Sequence, residues 1–87
     1  SSPLVDIVHE TWLEILQVSP ERLELTTKFT ALGGTSLQAA EIHATLEDKL
    51  GVIISHEMLN EADTIESMAA YINRQHPKLS LISPTQK

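Results

Sequence analysis

The sequence predicts an all-α fold: a four-helix bundle of three main helices and one short helix around a single aliphatic core. Three observations predict it. Apolar residues recur at helical spacing in three segments, each with polar residues on another face. Two of those segments open on a capping pattern, and one of them closes on glycine. The one short apolar run, Val52-Ile53-Ile54, has no second run to pair with as a sheet. At 87 residues the chain holds one small domain.

The first helix is expected from about Leu4 to Gln17. Val5, Val8, Trp12, Ile15 and Leu16 share a face, and Asp6, Glu10 and Glu14 occupy another. Ser1 or Ser2 with Pro3 suits the entry, because proline fits a first helical turn. Val18-Ser19-Pro20 ends it, since the residue before a proline is biased away from helical angles. Residues 19–34 read as a long connection, pinned to the core by Leu23, Leu25, Phe29 and Leu32 and broken by Gly33-Gly34. The clearest helix runs from Ser36 to Leu50. Thr35 is its N-cap, Gln38 completes a capping box, and Gly51 is the C-cap. Ala39, Ile42, Leu46 and Lys49/Leu50 define its inner face.

Val52-Ile53-Ile54 then reads as a buried loop, and His56 to Glu61 as a single helical turn. The last helix starts near Asp63 or Thr64, with Asp63 and Glu66 as a second capping-box pattern. Ile65, Met68, Ala69 and Ile72 form its buried face, with Tyr71 beside it. His76-Pro77 ends it. The expected organisation is a domain over residues 1–77 and a C-terminal tail or linker over 78–87. No internal repeat is visible.

Composition narrows the function. Apolar residues are 41% of the chain, enough for one core. Only Trp12, Phe29 and Tyr71 are aromatic, so that core is aliphatic. With no cysteine, disulfides, thiolate catalysis and cysteine-bound zinc are excluded. The net charge of -6 disfavours nucleic acid and anionic membranes and favours a basic protein partner. Residues 1–77 hold all twelve acids and only four bases, Arg22, Lys28, Lys49 and Arg74. No stretch approaches the roughly 20 apolar residues of a membrane span, and no secretory signal pattern is present. A cytoplasmic setting and a monomer are expected. The start at Ser1 fits processing, an expression scar or excision from a longer polypeptide. A domain this small rarely has room for both a core and a walled cleft, which argues against most enzymes.

The stretch that carries chemistry is Phe29-Thr30-Ala31-Leu32-Gly33-Gly34-Thr35-Ser36-Leu37. Glycine pairs are ordinary turns, and Ser or Thr at a helix start is an ordinary cap. Thr35 already caps, however, so Ser36 is free to point outward. A helix N-terminus presents unpaired N–H groups and a partial positive charge, which suit a phosphate ester on that serine.

Leu32-Gly33-Gly34-Thr35-Ser36-Leu37 resembles the signature of phosphopantetheine-dependent carrier proteins, in the peptidyl carrier (thiolation) form: Leu-Gly-Gly, then His or Asp, then Ser and Leu or Ile. Trp12 to Leu16 is similar to the family's first helix. Phe29 matches the Phe that precedes the motif, and Ala62 to Ile72 is similar to its last helix. The resemblance covers roughly residues 4–76. It implies 4′-phosphopantetheine attached to Ser36 and a non-catalytic carrier that holds aminoacyl or peptidyl intermediates as thioesters in nonribosomal peptide or hybrid polyketide biosynthesis. It implies a phosphopantetheinyl transferase, an adenylation or other loading enzyme, and condensation, ketosynthase or thioesterase partners. Thr35 stands where the family has His or Asp, and Thr26-Thr27-Lys28 where it often has acidic residues or Asn.

Thr35, Leu37, Ala40, Glu41 and Ala44 are the expected docking residues, with Leu37, Ala40 and Ala44 an apolar stripe flanked by the acids Glu41 and Asp48. Met58 and Leu59 are read as core residues. A polyketide-type acyl carrier and an unmodified acidic interaction domain are the alternatives. A serine hydrolase is disfavoured: the motif lacks the closing glycine of a nucleophile elbow, and His43 lies roughly 10 Å along the helix from Ser36. No histidine pair has zinc-protease spacing, no acidic run has calcium-loop spacing, and no lysine follows Gly34 at phosphate-loop spacing, so no metal or nucleotide site is expected.

Overall fold

The computed structural model describes residues 2–81. Among them are four α-helices and no strand: α1 (Pro3–Leu16), α2 (Ser36–Leu50), α3 (Met58–Glu61) and α4 (Ile65–Gln75). Short 3-10 turns occupy Pro20–Arg22, Thr30–Leu32 and Pro77–Leu81.

Ser2 takes the cap of α1, its hydroxyl accepting from the Leu4 N–H at 3.1 Å. The helix stops at Gln17, which adopts the left-handed conformation at φ 55° and donates its N–H to the Leu13 carbonyl. At α2 the capping box forms as the sequence predicts. The Gln38 N–H donates to Thr35 Oγ1, and the Thr35 N–H donates to Gln38 Oε1, both at 3.1 Å. Gly51 closes α2 at φ 68°. At α4 the cap is Thr64, paired with Ser67, rather than Asp63 with Glu66. Backbone bonding decides the register: the Asp63 carbonyl accepts the Phe29 N–H at 2.7 Å, which ties Asp63 to the preceding loop.

Helix α1 packs on α2 and α4, and α3 bridges α2 and α4. The core holds Val8, Trp12, Ile42, Leu46, Ile54, Met58, Ile65 and Ile72, all essentially without solvent contact. The inner face of α1 is Leu4, Val8, Thr11 and Trp12, with Val5, Ile15 and Leu16 at its edges. Burying Thr11 costs little because its hydroxyl is satisfied. It donates to the Ile7 carbonyl at 2.8 Å and accepts from Lys49 Nζ at 3.0 Å. Lys49 also reaches Glu14 at 3.1 Å and Glu10 at 3.8 Å, so the acidic face of α1 is tied to the end of α2.

Residues 53–55 form an irregular loop, and side chains bond much of its backbone. Glu47 Oε2 accepts the Ile54 N–H at 2.8 Å, and His43 Nε2 donates to the Ile54 carbonyl at 2.7 Å. His76 Nε2 donates to the Ile53 carbonyl at 2.6 Å, and Gln75 Oε1 accepts the Ser55 N–H at 3.1 Å. Helices α2 and α4 thus supply the partners a second strand would have given. The buried-loop expectation holds for Ile54 and, in part, for Val52, but Ile53 points out and is 77% exposed. The side-chain bonds to the Ile53 carbonyl and to both backbone groups of Ile54 hold the loop with Ile54 in the core and Ile53 outward. Beyond α4, Leu79 in the last 3-10 turn packs against the core, within the stretch read as a tail. Residues 82–87 of that stretch lie outside the described residues. No helix among the described residues is long and apolar enough to cross a membrane.

Candidate functional site

The site is the head of α2 and the loop that delivers the chain to it. Leu23 anchors the loop in the core at 4% exposure, and Phe29 and Leu32 are half-buried. Leu25, expected to pin the loop, is exposed; its carbonyl does the pinning by accepting the Glu66 N–H at 3.0 Å.

Phe29 organises the approach. Its ring meets Trp12 edge-on, with centroids 5.4 Å apart and planes at 78°. Its N–H reaches the Asp63 carbonyl, and its own carbonyl accepts from Leu32 and Gly34. The two glycines serve different needs. Gly33 ends the 3-10 turn at φ 78°, in the region that disfavours a side chain. Gly34 has ordinary angles but lies under the Phe29 ring, where an added Cβ would stand 2.4 Å from the ring carbons. A side chain at Gly34 would push Phe29 off its seat on Trp12.

Ser36 follows as the first residue of α2, exposed, with no hydrogen bond to its hydroxyl among the described residues. Thr35 is exposed too, but the cap occupies its hydroxyl. The division of labour expected from the sequence is therefore present: one hydroxyl caps and the next is free. No acidic side chain stands in the first turn of α2. The positive end of the helix faces the serine without a competing carboxylate, which suits an anionic phosphodiester at that oxygen.

The outer face of α2 carries Leu37, Ala40, Glu41, Ala44 and Asp48, all exposed, with Leu37 at 70%. Ile42 and Leu46 take the opposite face into the core, and Ala39 is half-buried. Met58 is fully buried and Leu59 partly so. The sequence offers His43 only as a distant base for Ser36 and does not mark it as a core residue. It is 4% exposed, stacks on His56 with centroids 4.3 Å apart, and lies 3.7 Å from Glu47. Its position four residues before Glu47 on α2 was the available signal, because i and i+4 share a face. No group of three or more metal-ligating side chains forms among the described residues.

Comparison with known proteins agrees with this geometry. Residues 6–72, from α1 through most of α4, match the family described as "Phosphopantetheine attachment site". A nonribosomal peptide synthetase of Gibberella zeae, synthetase 4, is 25% identical over 80 residues, covering 91% of this chain and 1% of its own length. The nonribosomal peptide synthetase cpsA of Aspergillus campestris is 28% identical over 81 residues, covering 93% of this chain and 8% of its own length. The chain therefore spans only a small part of these curated relatives. Among solved structures, BlmI, a type-II acyl-carrier-protein from Streptomyces verticillus involved in bleomycin biosynthesis, superposes with a TM-score of 0.75 at 25% identity. That overlap covers 83% of this chain and 84% of BlmI. A match that starts in α1, runs through the glycine pair and the exposed serine and ends in α4 assigns the family: the chain belongs to the phosphopantetheine attachment site family, whose members are carrier domains with 4′-phosphopantetheine as cofactor.

Proposed function

We propose that Ser36 is the residue that bears the phosphopantetheine, and that the domain carries aminoacyl or peptidyl intermediates in nonribosomal peptide or hybrid polyketide biosynthesis. The observation that carries the assignment is the unbonded, exposed hydroxyl of Ser36 at the head of α2, next to a threonine whose hydroxyl is already used. When bound, the cofactor supplies a terminal thiol that holds an acyl group as a thioester. The chain's own part is to present that arm and to be recognised. Thr35 fixes the helix head, Gly33 and Gly34 give the turn its shape, and Leu37, Ala40, Glu41 and Ala44 offer a contact face beside the serine. Tethering raises the effective concentration of an intermediate at each partner without any catalytic group on the carrier, and we read the domain as non-catalytic.

The partners in this reading are a phosphopantetheinyl transferase, an adenylation or other loading enzyme, and condensation, ketosynthase or thioesterase domains, in the cytoplasm. The relatives' architecture supports synthetase partners, since the matched region is a small part of each. We take residues 1–77 as the carrier domain, with the Pro77–Leu81 turn packed at its edge. A polyketide-type acyl carrier is the second reading, favoured by the likeness to the acyl-carrier-protein BlmI.

Intact-protein mass spectrometry tests the assignment. The protein is incubated with coenzyme A and a broad-specificity phosphopantetheinyl transferase, with Ser36→Ala as control. A gain of one phosphopantetheine in the wild type alone is the expected result. Uptake by Ser36→Ala would move the site elsewhere. Charging of the modified protein by an adenylation enzyme, against charging by an acyl-transfer enzyme, separates the two carrier types.

A further inference from the structure

Ile53 is the most exposed of the large apolar side chains among the described residues, at 77% against 70% for Leu37 and 42% for Leu25. Its backbone is nevertheless firmly held. The Ile53 carbonyl is bonded to His76, both backbone groups of Ile54 are bonded to His43 and Glu47, and the Ser55 N–H is bonded to Gln75. Three side chains from α2 and α4, with His76 at the cap of α4, thus fix a loop whose outward residue is an isoleucine. In the folded domain that side chain lies mostly in water, so it adds little to the core.

Its surroundings say what it faces. Ile53 and Val52 line a shallow groove with Ala44, Glu47, Asp48 and Gly51. Ala44 belongs to both this groove and the exposed face of α2, so the two surfaces are continuous. The charged groups lining the groove are acidic and none is basic. The nearest base in sequence, Lys49, is turned to α1 and engaged with Glu10, Glu14 and Thr11. Ala44 lies about 12 Å along α2 from Ser36 at 1.5 Å per residue. A standard protein interface of roughly 800 Å² per partner covers a disc about 30 Å across. Gly51, at the far end of the groove, lies about 22 Å along α2 from Ser36 by the same rise, so one such interface spans both when the serine and the groove lie toward its opposite edges.

We propose that Ile53 is a docking residue for the transferase that modifies Ser36, received in an apolar socket edged by Lys or Arg side chains. This rests on Ser36 being the modified residue. The test is steady-state kinetics of a broad-specificity phosphopantetheinyl transferase with coenzyme A, on wild type, Ile53→Ser and Ile53→Leu. Circular dichroism checks that each variant is folded, and sedimentation reports its oligomeric state. The expected result is a KM about tenfold higher for Ile53→Ser with kcat unchanged, as for loss of most of one buried aliphatic contact. Ile53→Leu keeps KM within about twofold, because it preserves the apolar volume. Added salt raises the wild-type KM, as screening weakens the acidic groove's attraction for a basic rim. An unchanged KM for a folded Ile53→Ser overturns the inference and leaves the Ser36 assignment standing. A wild-type dimer that Ile53→Ser dissolves, with KM unchanged, overturns it in favour of a second copy of this chain. Failure of the wild type to be modified, with another carrier modified in parallel, removes the Ser36 assignment and this inference together.

Discussion

The two ends of α2 are held in contrasting ways. At its head, the chain from Phe29 to Ser36 takes its shape from local devices, a 3-10 turn, two glycines and a capping box, and is seated by the Phe29 ring on Trp12 and the Phe29 N–H on Asp63. At its tail, the chain from Val52 to Ser55 is organised by side chains seven to twenty-three residues away. His43, Glu47, Gln75 and His76 reach across to its backbone. The head is shaped by backbone geometry and apolar packing, the tail by polar side chains acting as a substitute strand. Local devices give the serine a fixed pose while leaving its surroundings open. Long-range devices fix a loop that would otherwise have unpaired N–H and C=O groups.

Substitutions at four positions break or sharpen this contrast. Phe29→Ala removes the ring that joins Trp12, Gly34 and the loop. It should cost about 3 kcal/mol, the low end for a phenylalanine truncation because the ring is only partly buried. Urea unfolding measures the loss, and attachment of phosphopantetheine should slow in the same variant. Gly34→Ala should cost about 2 kcal/mol by overpacking against that ring. Combining it with Phe29→Leu should lose clearly less than the two single losses added together, because the clash disappears with the ring. Strict additivity in this cycle would show that the ring does not act on Gly34.

At the other end, His43→Ala should cost about 1.5 kcal/mol by leaving the Ile54 carbonyl without its donor. Hydrogen exchange should speed up at Ile54 and its neighbours while the amides near Ser36 keep their protection. Equal loosening at both ends would mean that α2 transmits the change and the two regions are not independent. Gln75→Ala is the mildest test, at about 0.5 kcal/mol, since its bond to the Ser55 N–H is exposed. The same exchange experiment should detect it at Ser55 alone.

The contrast also explains what could be read from the sequence. The bounds of α2, its capping box and Gly51 follow from signals within a few residues of one another, and the helix runs from Ser36 to Leu50 as expected. The free hydroxyl of Ser36 is legible for the same reason, because Thr35 and Gln38 stand within one turn of each other. The reason for Gly34 was not legible: its angles are ordinary, and only the position of the Phe29 ring demands a missing Cβ. The α4 cap moved from Asp63 to Thr64 because the Asp63 carbonyl is engaged by Phe29, thirty-four positions earlier in the sequence. His43 was passed over because a histidine within an amphipathic helix has no local mark of its carbonyl partner, eleven residues on. Ile53 reads with its apolar neighbours as buried, because the side-chain bonds that hold it outward, from His76, His43 and Glu47, leave no local mark.

Trp12 has a consequence for observing this protein at work. It is the chain's single tryptophan, fully buried, with its indole N–H donated to the Met68 sulfur at 3.4 Å and its ring against Phe29. The indole thus lies one side chain away from the loop that leads to Ser36, in a dry and well-defined setting. Any event that shifts Phe29 changes the polarity and quenching around one chromophore, with no background from another tryptophan. The carrier has a built-in optical reporter on the approach to its serine, and its emission can be followed in real time without a label.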